Sequence, residues 1–256
     1  LERLADHYEK QNKSRQKIKA ALAYPIVVGI IAIGVVIFLL AFVVPSFEQT
    51  FADLGAELPA ITKFVLGASD FMQVYWWLIV LMFIGLFVGI MVFKSNKQTK
   101  YYWDYFVLRI PVFGKLMQKA VLARMTRTLS SLFSSSVPIL QSLDIVESVV
   151  ENEVIARVIK SSRDSLERGD SLTGPMEKHW AFPPLVTQMI AIGEETGSLD
   201  AMLGKVADFY ETEVETATDQ IKSLIEPMMI VVLAGIVGVI VLSIMMPMFS
   251  MYSEIG

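Results

Sequence analysis

The sequence predicts an all-α membrane protein with three transmembrane helices, a cytoplasmic bundle of about six helices, and an internal duplication whose first copy is truncated. Three observations carry that prediction. Residues 20–47, 71–93 and 227–253 contain no charged side chain, while the blocks between them are rich in charge. In the largest charged block the apolar residues recur at helical spacing. The two ends of the chain also repeat one another without a gap.

Composition agrees. The 256 residues are 54% hydrophobic and 19% charged, with a mean hydropathy of +0.54, against about 45–50% and about 25% in an ordinary soluble domain. A net charge of -4 supplies no basic footprint for nucleic acid. The absence of cysteine excludes a disulfide framework, a thiol nucleophile and a thiolate metal site. His7 and His179, the two histidines, have no partner at ligand spacing.

Residues 1–24 read as the last cytoplasmic helix of the truncated first repeat. The chain opens at Leu1 rather than a methionine, without the charged head and short apolar stretch of a signal peptide, and so reads as a piece of a longer protein. The first span is set at Pro25 to Val44, the second at Val74 to Phe93 and the third at Pro227 to Met246. About 20 apolar residues at 1.5 Å each reach about 30 Å, the thickness of the hydrocarbon core. Tyr24, Tyr75, Trp76 and Trp77 suit the aromatic belts at the membrane interfaces. In the domain reading, residues 25–44 are followed by an extracytoplasmic loop at 45–73, a span at 74–93 and the bundle at 94–226. A third span at 227–247 and an extracytoplasmic tail at 248–256 complete it.

Orientation follows from basic residues. Lys10, Lys13, Arg15, Lys17 and Lys19 precede the first span and Lys94, Lys97, Lys100 and Arg109 follow the second, whereas the loop between them holds only Lys63. The positive-inside bias puts the amino end and the bundle in the cytoplasm and the carboxy end outside.

Within the bundle one helix is marked by Leu122, Met125, Leu129, Leu132 and Phe133, and the next by Ile139, Leu143, Val146 and Val150. Ile155, Val158, Ile159 and Leu166 mark a third; Leu199, Leu203, Val206, Tyr210 and the stretch from Ala217 to Ile221 mark the last. Ser136-Val137-Pro138 opens a helix, Gly169 closes one, Phe182-Pro183-Pro184 opens the next, and Gly197 separates it from the long final helix.

An offset of 202 residues aligns Leu1 with Leu203, Ala5 with Ala207, Asp6 with Asp208, Tyr8 with Tyr210 and Glu9 with Glu211. It also aligns Leu22 with Leu224, Pro25 with Pro227, Pro45 with Pro247 and Phe47 with Phe249. The first and third spans are therefore copies of one helix-then-membrane unit, with Pro25 and Pro227 as hinges at the membrane.

Catalytic templates are missing. No phosphate-binding loop is present, because Gly114-Lys115 and Gly204-Lys205 lack the upstream glycine and the following hydroxyl. Neither the His-Glu-x-x-His nor the Gly-x-Ser-x-Gly pattern occurs, and no cofactor is called for. The spans carry no ionisable residue, which disfavours the alternative of a transporter or channel subunit. Glu194, Glu195 and Asp200 have the oxygens for a hard cation, but their spacing around Gly197 better suits a capped and solvated helix junction. Arg124 and Arg127, at i and i+3, can meet an acidic partner or form a solvated face. Gly85 and Gly89 permit close helix packing in the second span.

The run from Phe182 to Leu203, with Ile192-Gly-Glu-Glu-Thr-Gly-Ser-Leu-Asp at its centre, continues into Val206-Ala-Asp-Phe-Tyr-Glu and Glu226-Pro227. It closely resembles the inner-membrane platform proteins of type IV pilus assembly and type II secretion, the PilC/GspF family. Val137-Pro138-Ile-Leu, Leu58-Pro59-x-x-Thr62 and the duplicated proline-bracketed spans agree, and the wording is closer to the pilus branch. One departure is Ser135-Ser136, where the family usually has Ala-Gly; serine is expected to make that turn as a helix cap. The resemblance implies a non-enzymatic scaffold in the inner membrane. Its implied partners are a cytoplasmic hexameric assembly ATPase, pilin or pseudopilin subunits, other inner-membrane assembly proteins, the lipid bilayer and further copies of itself. Arg124, Arg127, Glu194, Glu195 and Asp200 are the candidate partner contacts. Across the repeat, Lys13 matches Glu215 and Lys17 matches Asp219, two stripes of opposite sign that suit side-by-side pairing of the long helices.

Overall fold

The computed structural model describes residues 23, 26–46, 60–111 and 113–255. Lys13, Lys17, Pro25, Leu58 and Pro59 lie outside the described residues, as does His7. Every described element is a helix. They are α1 (Ile26–Ser46), α2 (Ala60–Ser95), α3 (Lys97–Arg109), α4 (Phe113–Ser134), α5 (Ile139–Val149), α6 (Glu153–Glu167), α7 (Gly174–Glu177), α8 (Pro184–Thr196) and α9 (Leu199–Ile255). The chain divides into two compact units, one built on residues 90–219 and the other on the described residues of 19–89 and 220–256.

The first unit holds α3 to α8 and the leading part of α9, so the predicted bundle of about six helices is present. Leu122, Met125 and Leu129 of α4, Leu143 and Val146 of α5, Ile155 and Ile159 of α6, Val186 and Ile190 of α8, and Leu203, Val206 and Tyr210 of α9 form one buried core. These positions carry the helical spacing because only one stripe of each helix can face inward. Asparagines open two of the helices: Asn96 Oδ1 accepts the Gln98 N–H, and Asn152 Oδ1 accepts those of Val154 and Ile155.

Three helices close by the same device. The N–H of Val137 donates to Leu132 O, that of Asp170 to Ser165 O, and that of Ser198 to Gly193 O, each reaching back five residues. This Schellman closure requires a left-handed residue just past the helix. Gly169 at φ +83° and Gly197 at φ +67° supply it, and after α4 the residue is Ser136 at φ +60°. Ser136 therefore does not act as the expected side-chain cap of α5, whose N-cap is Pro138 with no side-chain hydrogen bond. It terminates α4 through its own backbone.

In the second unit, α1 and the stretch of α9 up to Met246 are long and apolar enough to cross a membrane. A third span results if the two segments of α2, Ala60–Leu78 and Val80–Met91, bent by 46°, are taken together. Two boundaries differ from expectation. Residues 60–73, read as loop, are already helical, because Val65 and Leu66 bury against Leu40, Val44 and Ile240. Pro227 lies inside α9 rather than ending a helix. Its ring removes one N–H from the ladder, and the helix continues around the gap.

Candidate functional site

The Gly193-to-Asp200 motif forms the corner between α8 and α9. A Cβ on Gly193 would lie 3.0 Å from the Leu199 Cα, so only glycine lets the last turn of α8 approach the first turn of α9 this closely. The next two carboxylates diverge. Glu194 turns inward: Oε1 accepts the Leu172 N–H at 3.1 Å and Oε2 accepts the Ser171 hydroxyl at 3.1 Å. That clamp fixes the loop in front of α7 and seats Leu172 in the core. Glu195 is exposed, next to exposed Thr196 and within one turn of exposed Ile192, and Asp200 is exposed in the first turn of α9. A carboxylate there is favoured by the positive end of the helix.

A second polar line binds α4 to α9. Arg127 grips Glu211 in a two-pronged bond, Nε to Oε1 and an Nη to Oε2, both at 2.8 Å, and also meets Asp208. Its side chain is 18% exposed, and the bonds to Glu211 hold its pKa above the ordinary arginine value. Lys119 meets Glu213 at 2.6 Å, and the Ser130 hydroxyl donates to Asp200 O at 2.8 Å. As α4 ascends from 119 to 130 its partners descend from 213 to 200, so the two helices run antiparallel. Arg124 pairs with Glu151 at 2.6 Å. Both arginines singled out from sequence are thus engaged within the chain, and Glu195 and Asp200 are the outward-facing members of the candidate set.

Sequence reading missed Asp208 and Glu211 as the partners of Arg127. The signal was present, since Asp6 and Glu9 repeat them at the 202-residue offset. Glu215 and Asp219 lie further along α9, half-buried and exposed respectively. Gly85 and Gly89 face open space, with no atom within 4 Å of a built Cβ, so no described helix packs on them. Among the described residues no group of three or more His, Asp or Glu side chains is placed to hold a metal ion. A polar cleft of about 480 Å³ between α5 and α6 offsets Asp144, Glu147 and Glu153 with Arg157, Lys160 and Arg163.

The second unit carries two matched features. In the π turn Leu39–Val43 of α1 the Val44 N–H bonds Leu39 O, five residues back. The next donor in that register would be Pro45, which has none, and the Ser69 hydroxyl of α2 donates to the orphaned Leu40 O instead. In α9 the donor absent at Pro247 would have served Ser243 O, and the Thr62 hydroxyl donates there at 2.7 Å. Two hydroxyls of α2 thus satisfy the two carbonyls that the repeated prolines leave open. A dry groove of about 880 Å³ lies among the same three helices, walled by Gly29, Ile33, Trp76, Met229 and Ile236.

The family model described as type II secretion system, protein F, matches residues 1–45 and 125–247. The chain is 41% identical over 257 aligned residues to the type IV pilus assembly protein PilC of Thermus thermophilus, covering all of this chain and 63% of that protein. Identity to the PilC protein of Pseudomonas aeruginosa is 38%, covering 100% of this chain and 69% of the relative. Identity to the type II secretion system protein F of Aeromonas hydrophila is also 38%, covering 100% and 66%. The chain therefore spans less than two thirds of the Thermus relative. Because the protein F model matches more than half of this chain, the chain belongs to the family of type II secretion system protein F.

Proposed function

We propose that the chain is part of a non-enzymatic inner-membrane platform for type IV pilus biogenesis, coupling a cytoplasmic hexameric assembly ATPase to insertion of pilin subunits into the fibre. The observation that carries this reading is the 41% identity to a pilus assembly protein along the entire chain. The dry groove in the second unit supports a membrane-level contact with an apolar pilin helix. A second reading, a type II secretion platform handling pseudopilins, is favoured by the family description and the 38% identity to a secretion protein.

The amino end and the bundle are cytoplasmic and the carboxy end extracytoplasmic in this proposal, with Pro25 and Pro227 at the membrane surface. The chain also carries two copies of one unit. Supporting this, the two segments matched by the family model end at 45 and 247, which is the 202-residue offset again.

Glu195 and Asp200 are the proposed ATPase contacts. Co-purification of the full-length protein with its assembly ATPase tests this. Glu195→Lys is expected to abolish capture with an unchanged melting temperature, whereas Glu194→Ala is expected to lower the melting temperature by releasing the loop at Ser171 and Leu172. Undiminished capture by the Glu195 and Asp200 variants would move the interface elsewhere.

A further inference from the structure

We propose that the outward face of α3 is a docking surface for anionic lipid headgroups. This rests on α2 being a span and is independent of which fibre or partner the protein serves.

A helix on the surface of a soluble bundle turns its apolar stripe inward and its polar side to water. α3 does not follow this rule. Its inward side is complete: Leu108 is buried in the core, Tyr101 packs against it, and Asp104 Oδ2 accepts the Glu153 N–H at 2.7 Å. The opposite side is also apolar. Tyr102 is 69% exposed and Phe106, one turn later, is 62% exposed, with Trp103 half-buried beside them. Five of the thirteen residues of α3 are aromatic. Phe113, the first residue of α4, is exposed as well, and Trp180, which stacks on His179, meets Tyr105 edge-on.

Charge and chain connectivity select the occupant. The stretch from Lys94 to Arg109 has four basic residues and one carboxylate, Asp104, in a chain whose net charge is -4. Arg109 places its guanidinium 5.2 Å from the Tyr105 ring and 4.8 Å from the Trp180 ring, so the cation sits on an aromatic surface, as at a membrane interface. Only Asn96 separates α3 from α2. The apolar segment of α2 ends at Met91, so six residues lead from it to Lys97, at most about 23 Å of chain at 3.8 Å per residue. Tyrosine and tryptophan rings prefer the headgroup level, and lysines near it are drawn to anionic lipid. A helix of this composition, about 20 Å long and following an apolar helix in the chain, suits an in-plane interfacial helix. A protein partner is the other occupant of such a face, and the labels below distinguish it from lipid.

The cysteine-free sequence makes the test direct. The chain carrying Phe106→Cys, labelled with an environment-sensitive fluorophore, is reconstituted into phosphatidylglycerol-containing vesicles with a nitroxide on the lipid headgroup. Tyr102→Cys gives a second site on the face, and Gln188→Cys, exposed on α8, gives a reference. Both α3 labels are expected to be quenched by the lipid nitroxide about threefold more than the reference and to be shielded from aqueous iodide. Lys97→Gln with Lys100→Gln is expected to narrow that difference, as is replacing the anionic lipid with phosphatidylcholine. Labels quenched by iodide and not by lipid would overturn the proposal. Labels shielded from both would also overturn it, showing the face to be covered by protein.

Discussion

Ser136 shows how a single backbone requirement is met by an unfavourable residue. A left-handed conformation costs an ordinary side chain about 1–2 kcal/mol, and part of what glycine recovers there is lost to its freer unfolded state. Ser136→Gly is expected to stabilise the protein by about 0.5–1 kcal/mol, read as a rise in melting temperature in detergent. An unchanged or lower value would mean that the serine hydroxyl compensates. His179 makes a second prediction. Burial lowers its pKa below 6.5, and the neutral ring accepts the Ala181 N–H at Nδ1, 3.2 Å away. A base with a depressed folded pKa binds more protons when unfolded, so its contribution is present above about pH 6.5 and lost as pH falls through the lowered value. Melting temperature is expected to decline over that window in the parent protein and less in His179→Asn, whose amide oxygen can accept the same N–H without titrating.

At the scale of elements, the second unit depends on α2 supplying what two other helices lack. Pro45 and Pro247 remove one donor each from α1 and α9, and Ser69 and Thr62 restore the bonds from the side. An unpaired carbonyl in an apolar region is costly, and measured hydrogen bonds between membrane helices contribute about 0.6 kcal/mol, up to about 1.7. Thr62→Val keeps the side-chain shape and removes the donor. It is expected to destabilise by about 1 kcal/mol, with Ser69→Ala similar and the pair roughly additive, measured by unfolding in mixed micelles. A wild-type curve for the double variant would show that other groups satisfy these carbonyls. In the first unit, α4 and α9 are joined more firmly by the two-pronged grip of Arg127 on Glu211 than by the more exposed Lys119–Glu213 pair. Lysine could not reproduce that fork.

At the scale of the molecule, the 202-residue offset matches Lys13 with Glu215 and Lys17 with Asp219, residues of opposite charge. We propose that Lys13 faces Glu215 and Lys17 faces Asp219, within one chain or between copies. Exposed pairs contribute about 0–1 kcal/mol each, so they set register more than strength. Reversing Lys13 alone or Glu215 alone is expected to impair oligomerisation and piliation, and reversing both is expected to restore them. Failure of the double reversal to rescue would remove the pairing.

Sequence alone determined the helical class, the three dry stretches, the core positions of α4 to α6 and α9, and the corner at Gly197. Each of these follows from local rules, the period of the helix and the conformations that glycine and proline allow or forbid. It did not determine where long-range side chains point. That Glu194 turns inward and Glu195 outward, that Arg127 is held by Glu211, that Thr62 and Ser69 complete proline-broken ladders, and that α3 shows aromatic rings on its outer side were decided by tertiary structure. The physical reason is that a carboxylate, a guanidinium or a hydroxyl satisfies its hydrogen bonds wherever packing brings a partner, and these partners lie 22 to 181 residues away.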